Sequence, residues 1–127
     1  MPHQTDDYKT WVKIITALFI LTILEEGATH GNKINEEIKY RTDNMIHSNP
    51  NVLYPLLRTM EEKGYIAGSW DNETTRNKKI YTITDRGRAS IPALHQKVRH
   101  QLDEAERRLQ IIRCNLLDRS QEGLKNE

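Results

Sequence analysis

The stretch Asn49-Pro50-Asn51-Val52-Leu53-Tyr54-Pro55-Leu56-Leu57-Arg58-Thr59-Met60-Glu61-Glu62-Lys63-Gly64-Tyr65-Ile66 decides how this chain is read. Leu53, Leu56, Leu57 and Met60 recur at helical spacing, which puts them on the buried side of a helix and leaves Asn51, Tyr54, Pro55 and Arg58 on the other. Ser48-Asn49-Pro50-Asn51 is a turn and cap signal, and Gly64 is a stop. A proline has no N–H to give and suits only the first turn of a helix, so Pro55 predicts a cap near Asn51 or Val52. Tyr54 and Arg58, four residues apart, are neighbours on the polar side.

Upstream, a helix is predicted from about Thr10 to Glu26, closed by Gly27. Trp11, Ile14, Ile15, Leu18, Leu21 and Leu24 cover one side of it, while Val12, Phe19, Ile20 and Ile23 cover much of the other. One core cannot bury both sides, so a second chain is the natural cover. Trp11 to Leu24 carries Lys13, Thr16 and Thr22 and is shorter than the roughly 20 apolar residues of a membrane span. A short second helix opens near Thr29 and His30, carries Ile34 and Ile38, and closes before Asp43-Asn44.

Downstream the period changes. Tyr65 to Trp70 and Lys79 to Thr84 are short runs rich in β-branched and aromatic residues, and read as a hairpin. Asp71 to Lys78, polar throughout, is its long solvated loop. Thr84 can cap a last helix from Asp85 to about Leu117. Ile91, Leu94, Val98, Leu102, Ala105, Leu109, Ile112 and Leu116 alternate steps of three and four along it, a coiled-coil-like seam, with Pro92 expected to bend or interrupt the helix.

The order helix, helix, helix, hairpin, helix is that of a winged helix-turn-helix, mainly α with a small β-hairpin, followed by a C-terminal dimerisation helix. The expected boundaries are 9–91 for the winged helix-turn-helix and 92–119 for the dimerisation helix, with 1–8 and 120–127 frayed. In such a fold the third helix enters the DNA major groove and the hairpin touches the adjacent backbone.

A chain of 127 residues excludes a multidomain enzyme, and its formal charge of +1 means that nucleic-acid affinity needs a local basic patch. Between Arg76 and Arg88 stand Arg76, Lys78, Lys79, Arg86 and Arg88 against Asp85 alone, which is such a patch. The single cysteine, Cys114, excludes an intramolecular disulfide and fits a reducing compartment. His3, His30, His47, His95 and His100 show no metal-ligand spacing, and no catalytic triad order or phosphate loop appears. No metal, cofactor or catalytic residue is expected, and the chain reads as a non-enzyme. A polar, acidic beginning without a signal-peptide pattern predicts a cytoplasmic protein with no membrane partner.

Three motifs resemble the PadR-type transcriptional regulators: Gly27-Ala28-Thr29-His30-Gly31; Leu53-Tyr54-Pro55-Leu56-Leu57 with Met60-Glu61-Glu62-Lys63-Gly64-Tyr65-Ile66; and Arg76 to Arg88 with Tyr81, Thr84 and Gly87. The resemblance spans about residues 14 to 94. It departs from the family pattern at Asn32, where an aromatic is usual, and at Asn51 and Val52. Residues 85 to 127 hold no Phe, Trp or Tyr, so the aromatic sandwich of multidrug-responsive members is not implied.

The resemblance implies a regulator, most simply a repressor, that binds double-stranded DNA as a homodimer at an inverted repeat. Asn51, Tyr54 and Arg58 are expected to face the groove, with Arg76, Lys78 and Lys79 on the wing. Trp11, Ile15, Phe19, Leu94, Val98, Leu102, Leu109, Ile112 and Leu116 are expected at the dimer interface. The alternatives, with weak sequence-specific DNA binding, are a winged-helix protein-interaction module or a sensor whose small apolar effector enters between the first and last helices.

Overall fold

The computed structural model describes residues 4–46, 50–72 and 78–118. The elements are α1 (Gln4–Glu26), β1 (Thr29–His30), α2 (Gly31–Arg41), α3 (Pro50–Glu62), β2 (Ile66–Trp70), β3 (Lys79–Ile83) and α4 (Asp85–Ile112), then a π-helical turn at Arg113–Asp118. This is a winged helix followed by a C-terminal helix, as the order of sequence signals predicts. The chain divides into two compact units, Met1–Leu94 and His95–Glu127.

In the first unit Ile20 and Leu21 of α1, Ile34 and Ile38 of α2, Leu53 and Leu57 of α3 and Ile66 of β2 are fully buried in one core. Burying each such side chain contributes about 1.5–3 kcal/mol, so these few positions specify how the three helices close. Ile20 and Ile23, expected on a side of α1 that needs a second chain, are instead 0% and 5% exposed within their own chain. Packing of α1 against both α2 and β3 supplies the cover that periodicity on one helix does not reveal. Ile15 is likewise buried, and Leu94 packs partly buried against the same core. The helix also starts at Gln4 instead of Thr10, because no glycine or proline between them stops a helix anchored by its apolar stretch.

Thr29 and His30 stand where α2 is expected to open, and His30 is the N-cap of a helix that begins at Gly31. They form the short edge strand β1, with Thr29 opposite Tyr81 and His30 opposite Ile80, giving an antiparallel sheet of order β1-β3-β2. His30 has an extended backbone (φ −87°, ψ 160°), which serves both as a strand residue and as the N-cap of α2. Two residues are too few to carry an alternation signal. At the far end of α2, Arg41 donates to both oxygens of Glu26 at 2.9 and 2.6 Å and to Glu37 at 3.0 Å, tying α2 to the end of α1.

Pro55 departs from expectation, and Pro92 does not interrupt its helix. Pro55 is the sixth residue of α3 and not in its first turn. Each ring lies on an exposed side while buried neighbours hold the helix before and after it: Leu53 and Leu56 around Pro55, Ile91 and Leu94 around Pro92. Core packing therefore outweighs the one hydrogen bond that each proline removes.

The β2–β3 hairpin pairs Ile66 with Ile83, Gly68 with Tyr81 and Trp70 with Lys79, and is closed by the Asp71 N–H donating to the Lys78 carbonyl at 2.7 Å. Thr84 caps α4 as expected: its Oγ1 accepts from the Gly87 N–H at 3.0 Å and donates to the Gly64 carbonyl at 2.6 Å. In the second unit, Leu102, Leu109, Ile112 and Leu116 of the seam are 42–65% exposed. Ile111 and Leu117, off the seam, are exposed as well.

Candidate nucleic-acid interface

The start of α2, the outer side of α3 and the hairpin enclose a cleft of about 580 Å³. Its charged lining comprises Lys33, Arg58, Lys78 and Lys79 against Glu36 and Glu61. Among the described residues Arg58 makes no ion pair, so its guanidinium stands exposed with its donors available. Such a fork suits a guanine edge or a phosphate.

Tyr54 sits one turn before Arg58. Its hydroxyl donates to Asn32 Oδ1 at 2.8 Å, and its ring lies against the backbone of Gly31. A Cβ at Gly31 would come within 2.8 Å of Tyr54 Cε1, so only glycine lets the ring pack there. Sequence reasoning pairs Tyr54 with Arg58 but misses Asn32. The available signal is the polar residue standing where relatives carry an aromatic.

The basic run on the wing is less free than its count suggests. Lys79 Nζ donates to Glu61 Oε1 at 2.8 Å and lies 5.6 and 5.7 Å from the ring centres of Trp70 and Tyr81. Burial raises the Tyr81 hydroxyl above the ordinary phenol range, so that ring stays neutral beside the ammonium. The Arg86 guanidinium lies 5.1 Å from the Tyr65 ring, and Arg88 pairs with Asp85 at 3.7 Å. Lys78 is exposed in the cleft; Asn51 and Pro55 are exposed on α3 but line the groove on its other flank and not the cleft of Tyr54 and Arg58, and Arg76 falls outside the described residues.

Behind α3 lies a second, mainly apolar groove of about 700 Å³ formed by α1, α3 and the start of α4. Among the described residues no cluster of three or more His, Cys, Asp or Glu side chains is placed to hold a metal ion, and no helix is long and apolar enough to cross a membrane. Cys114 is exposed, and its Sγ accepts from Gln110 Nε2 at 3.4 Å.

The profile of the Transcriptional regulator PadR-like family matches residues 20–93, which contain all of this cleft. No curated protein matches the chain. Among solved structures, a transcriptional regulator from Clostridium thermocellum is 29% identical, with 79% of this chain and 91% of that one covered and a TM-score of 0.56. A PadR family transcriptional regulator from Eggerthella lenta is 27% identical over 73% of this chain and 80% of its own, at a TM-score of 0.60. Bacillus subtilis PadR, solved in complex with operator DNA, is 25% identical over 62% of this chain and 45% of its own, at a TM-score of 0.55. Since the profile spans more than half of the sequence and every element that builds the cleft, the chain belongs to the PadR-like family of transcriptional regulators.

Proposed function

We propose that the chain is a cytoplasmic, homodimeric repressor that binds double-stranded DNA at an inverted-repeat operator and occludes a promoter. The observation that carries this reading is the outer side of α3, where Arg58 stands unpaired among the described residues in a cleft edged by Lys33 and Lys78. Similarity to a protein solved with operator DNA supports it. The exposed leucine and isoleucine seam of α4 supports the homodimer reading, and Trp11 and Phe19 of α1 are separate candidates for contact with a second copy. Two-fold symmetry then calls for half-sites one DNA turn apart, roughly 10 base pairs, or a multiple of that.

The test is selection of short duplexes from a random library by the purified chain, followed by footprinting of the enriched sequence. A two-fold symmetric, salt-sensitive footprint is the expected result. Failure to enrich any sequence, with binding insensitive to salt, favours the protein-interaction alternative.

The groove behind α3 favours a sensor role in addition. Among the described residues Lys13 and Lys63 are the only charged ones lining it, while Ile14, Leu21, Leu56 and Met60 supply apolar walls. A small, mainly apolar effector seated there would press on the back of the DNA-facing helix. Filling the groove with Ala17→Trp is expected to abolish binding of a medium-chain fatty acid used as probe, measured calorimetrically.

A further inference from the structure

Glu61 is an awkward residue for a surface meant to meet phosphate. It stands on the last turn of α3, three residues after Arg58, in the same cleft. At that spacing on a helix, a carboxylate and a guanidinium are neighbours and pair readily. A free Glu61 would therefore compete with DNA for Arg58, and would repel the backbone as well. In the structure Glu61 does not pair with Arg58; instead Lys79 reaches across from β3 and binds it at 2.8 Å.

Lys79 is built into this position. Its ammonium lies between the Trp70 and Tyr81 rings, each less than 6 Å from it. The strand it crosses carries glycine at the crossing point. A Cβ on Gly68 would collide with the Lys79 side chain and come within 3.2 and 3.3 Å of the two Glu61 carboxylate oxygens. Side chains on three elements and a glycine on the hairpin thus combine to hold one lysine against one carboxylate.

We infer that Lys79 is a positioning residue: it occupies Glu61 so that Arg58 is left free for DNA. This assigns Lys79 a role inside the protein in place of the phosphate contact that its location on the wing suggests. It rests on the DNA-binding reading above.

The experiment compares wild type, Lys79→Met, Glu61→Gln and the double variant on the duplex enriched by the wild-type chain and on a random duplex of equal length, at several salt concentrations. Methionine keeps an apolar stem between Trp70 and Tyr81, and far-ultraviolet circular dichroism checks that each variant folds. Lys79→Met is expected to lower the ratio of specific to random affinity about tenfold, the size of one missing base contact, because Glu61 then captures Arg58. Glu61→Gln alone is expected to leave that ratio within about twofold, and the double variant to return to it, since no carboxylate remains to trap the arginine.

Three results overturn the inference. An unchanged ratio in Lys79→Met means that Arg58 needs no such protection. A double variant as impaired as Lys79→Met, with a salt slope lower by about 0.9 per subunit, means that Lys79 contacts phosphate directly. Loss of the ratio in Glu61→Gln means that Glu61 itself meets the DNA. A wild-type chain that enriches no duplex refutes the DNA-binding reading instead, and is recognised before any variant is made.

Discussion

The Tyr54 hydroxyl donates to Asn32 Oδ1 across 2.8 Å, so α3 is tied through its exposed side to the first turn of α2. This bond fixes where the Tyr54 ring stands relative to Arg58, one turn further on. Tyr54→Phe and Asn32→Ala each delete it, and each is expected to cost about 0.5–1.5 kcal/mol of stability by chemical denaturation. Gly31→Ala keeps the bond's partners but places a methyl where the ring lies. It should cost more, about 1–3 kcal/mol, because the ring has to move.

Arg58 and the wing should fail differently. Arg58→Ala is expected to lower the ratio of specific to random DNA affinity by about 1–3 kcal/mol, as removal of a bidentate base contact does. Arg76→Ala combined with Lys78→Ala is expected to weaken both affinities alike and to flatten log affinity against log salt by about 0.9 for each phosphate that is no longer neutralised. Titrations of both duplexes across a salt series measure the two effects together. An unchanged ratio for Arg58→Ala would move the reading function elsewhere on the surface.

The seam on α4 predicts assembly. Leu102 and Leu109 are exposed in the lone chain, and changing both to Glu should convert a dimer into a monomer in sedimentation velocity at low micromolar concentration. The same variant should bind a single half-site no worse than wild type does. For the wild type, inserting five base pairs between half-sites turns them to opposite sides of the duplex, and affinity should drop to that of one half-site.

The ion pair between α1 and α2 has a pH signature. The Arg41 guanidinium beside it holds the Glu26 carboxyl below its ordinary value of 4.5. A carboxylate depressed in the folded state stabilises above the unfolded pKa and loses that contribution as pH falls through the folded one. Glu26→Gln should therefore differ from wild type in melting temperature by a constant amount at neutral pH. The difference should shrink progressively below about pH 4.5. A difference that grows on acidification would contradict the pairing.

The core predicts the largest losses. Leu57 and Ile38 are completely buried, and truncating either to Ala should cost about 2–5 kcal/mol in urea unfolding. Thr84→Ala removes the cap of α4 and should cost about 1 kcal/mol. A larger loss for the cap than for either core truncation would mean that the core is not what holds the first unit together.

How far the sequence can be read depends on how many residues carry each signal. Leu53, Leu56, Leu57 and Met60 mark α3 because four positions repeat at helical spacing, and all four are buried. The hairpin and the Thr84 cap are equally legible, each resting on local chemistry. Strand β1 at Thr29 and His30 is not legible because it exists only by pairing with Tyr81 and Ile80, some fifty residues later. Pro55 misleads for the same reason, since the packing that holds α3 together around it comes from other elements. In the cleft, residue types along the chain identify Tyr54, Arg58 and Lys78. The Tyr54–Asn32 and Lys79–Glu61 pairings cross between elements, and no spacing rule on one chain segment announces them.

Strand β1 also fixes an order of events in folding. β3 lies between a near partner, β2, and a remote one, β1. A hairpin closes on its own in about 1–10 μs, whereas β1 can reach β3 only once the intervening α2 and α3 have compacted. The β1–β3 amides should thus acquire protection with the global transition, while β2–β3 amides gain partial protection earlier. Pulse-labelling hydrogen exchange would resolve the two classes, and would make Thr29 and His30 the natural reporters of the moment when the whole first unit has assembled.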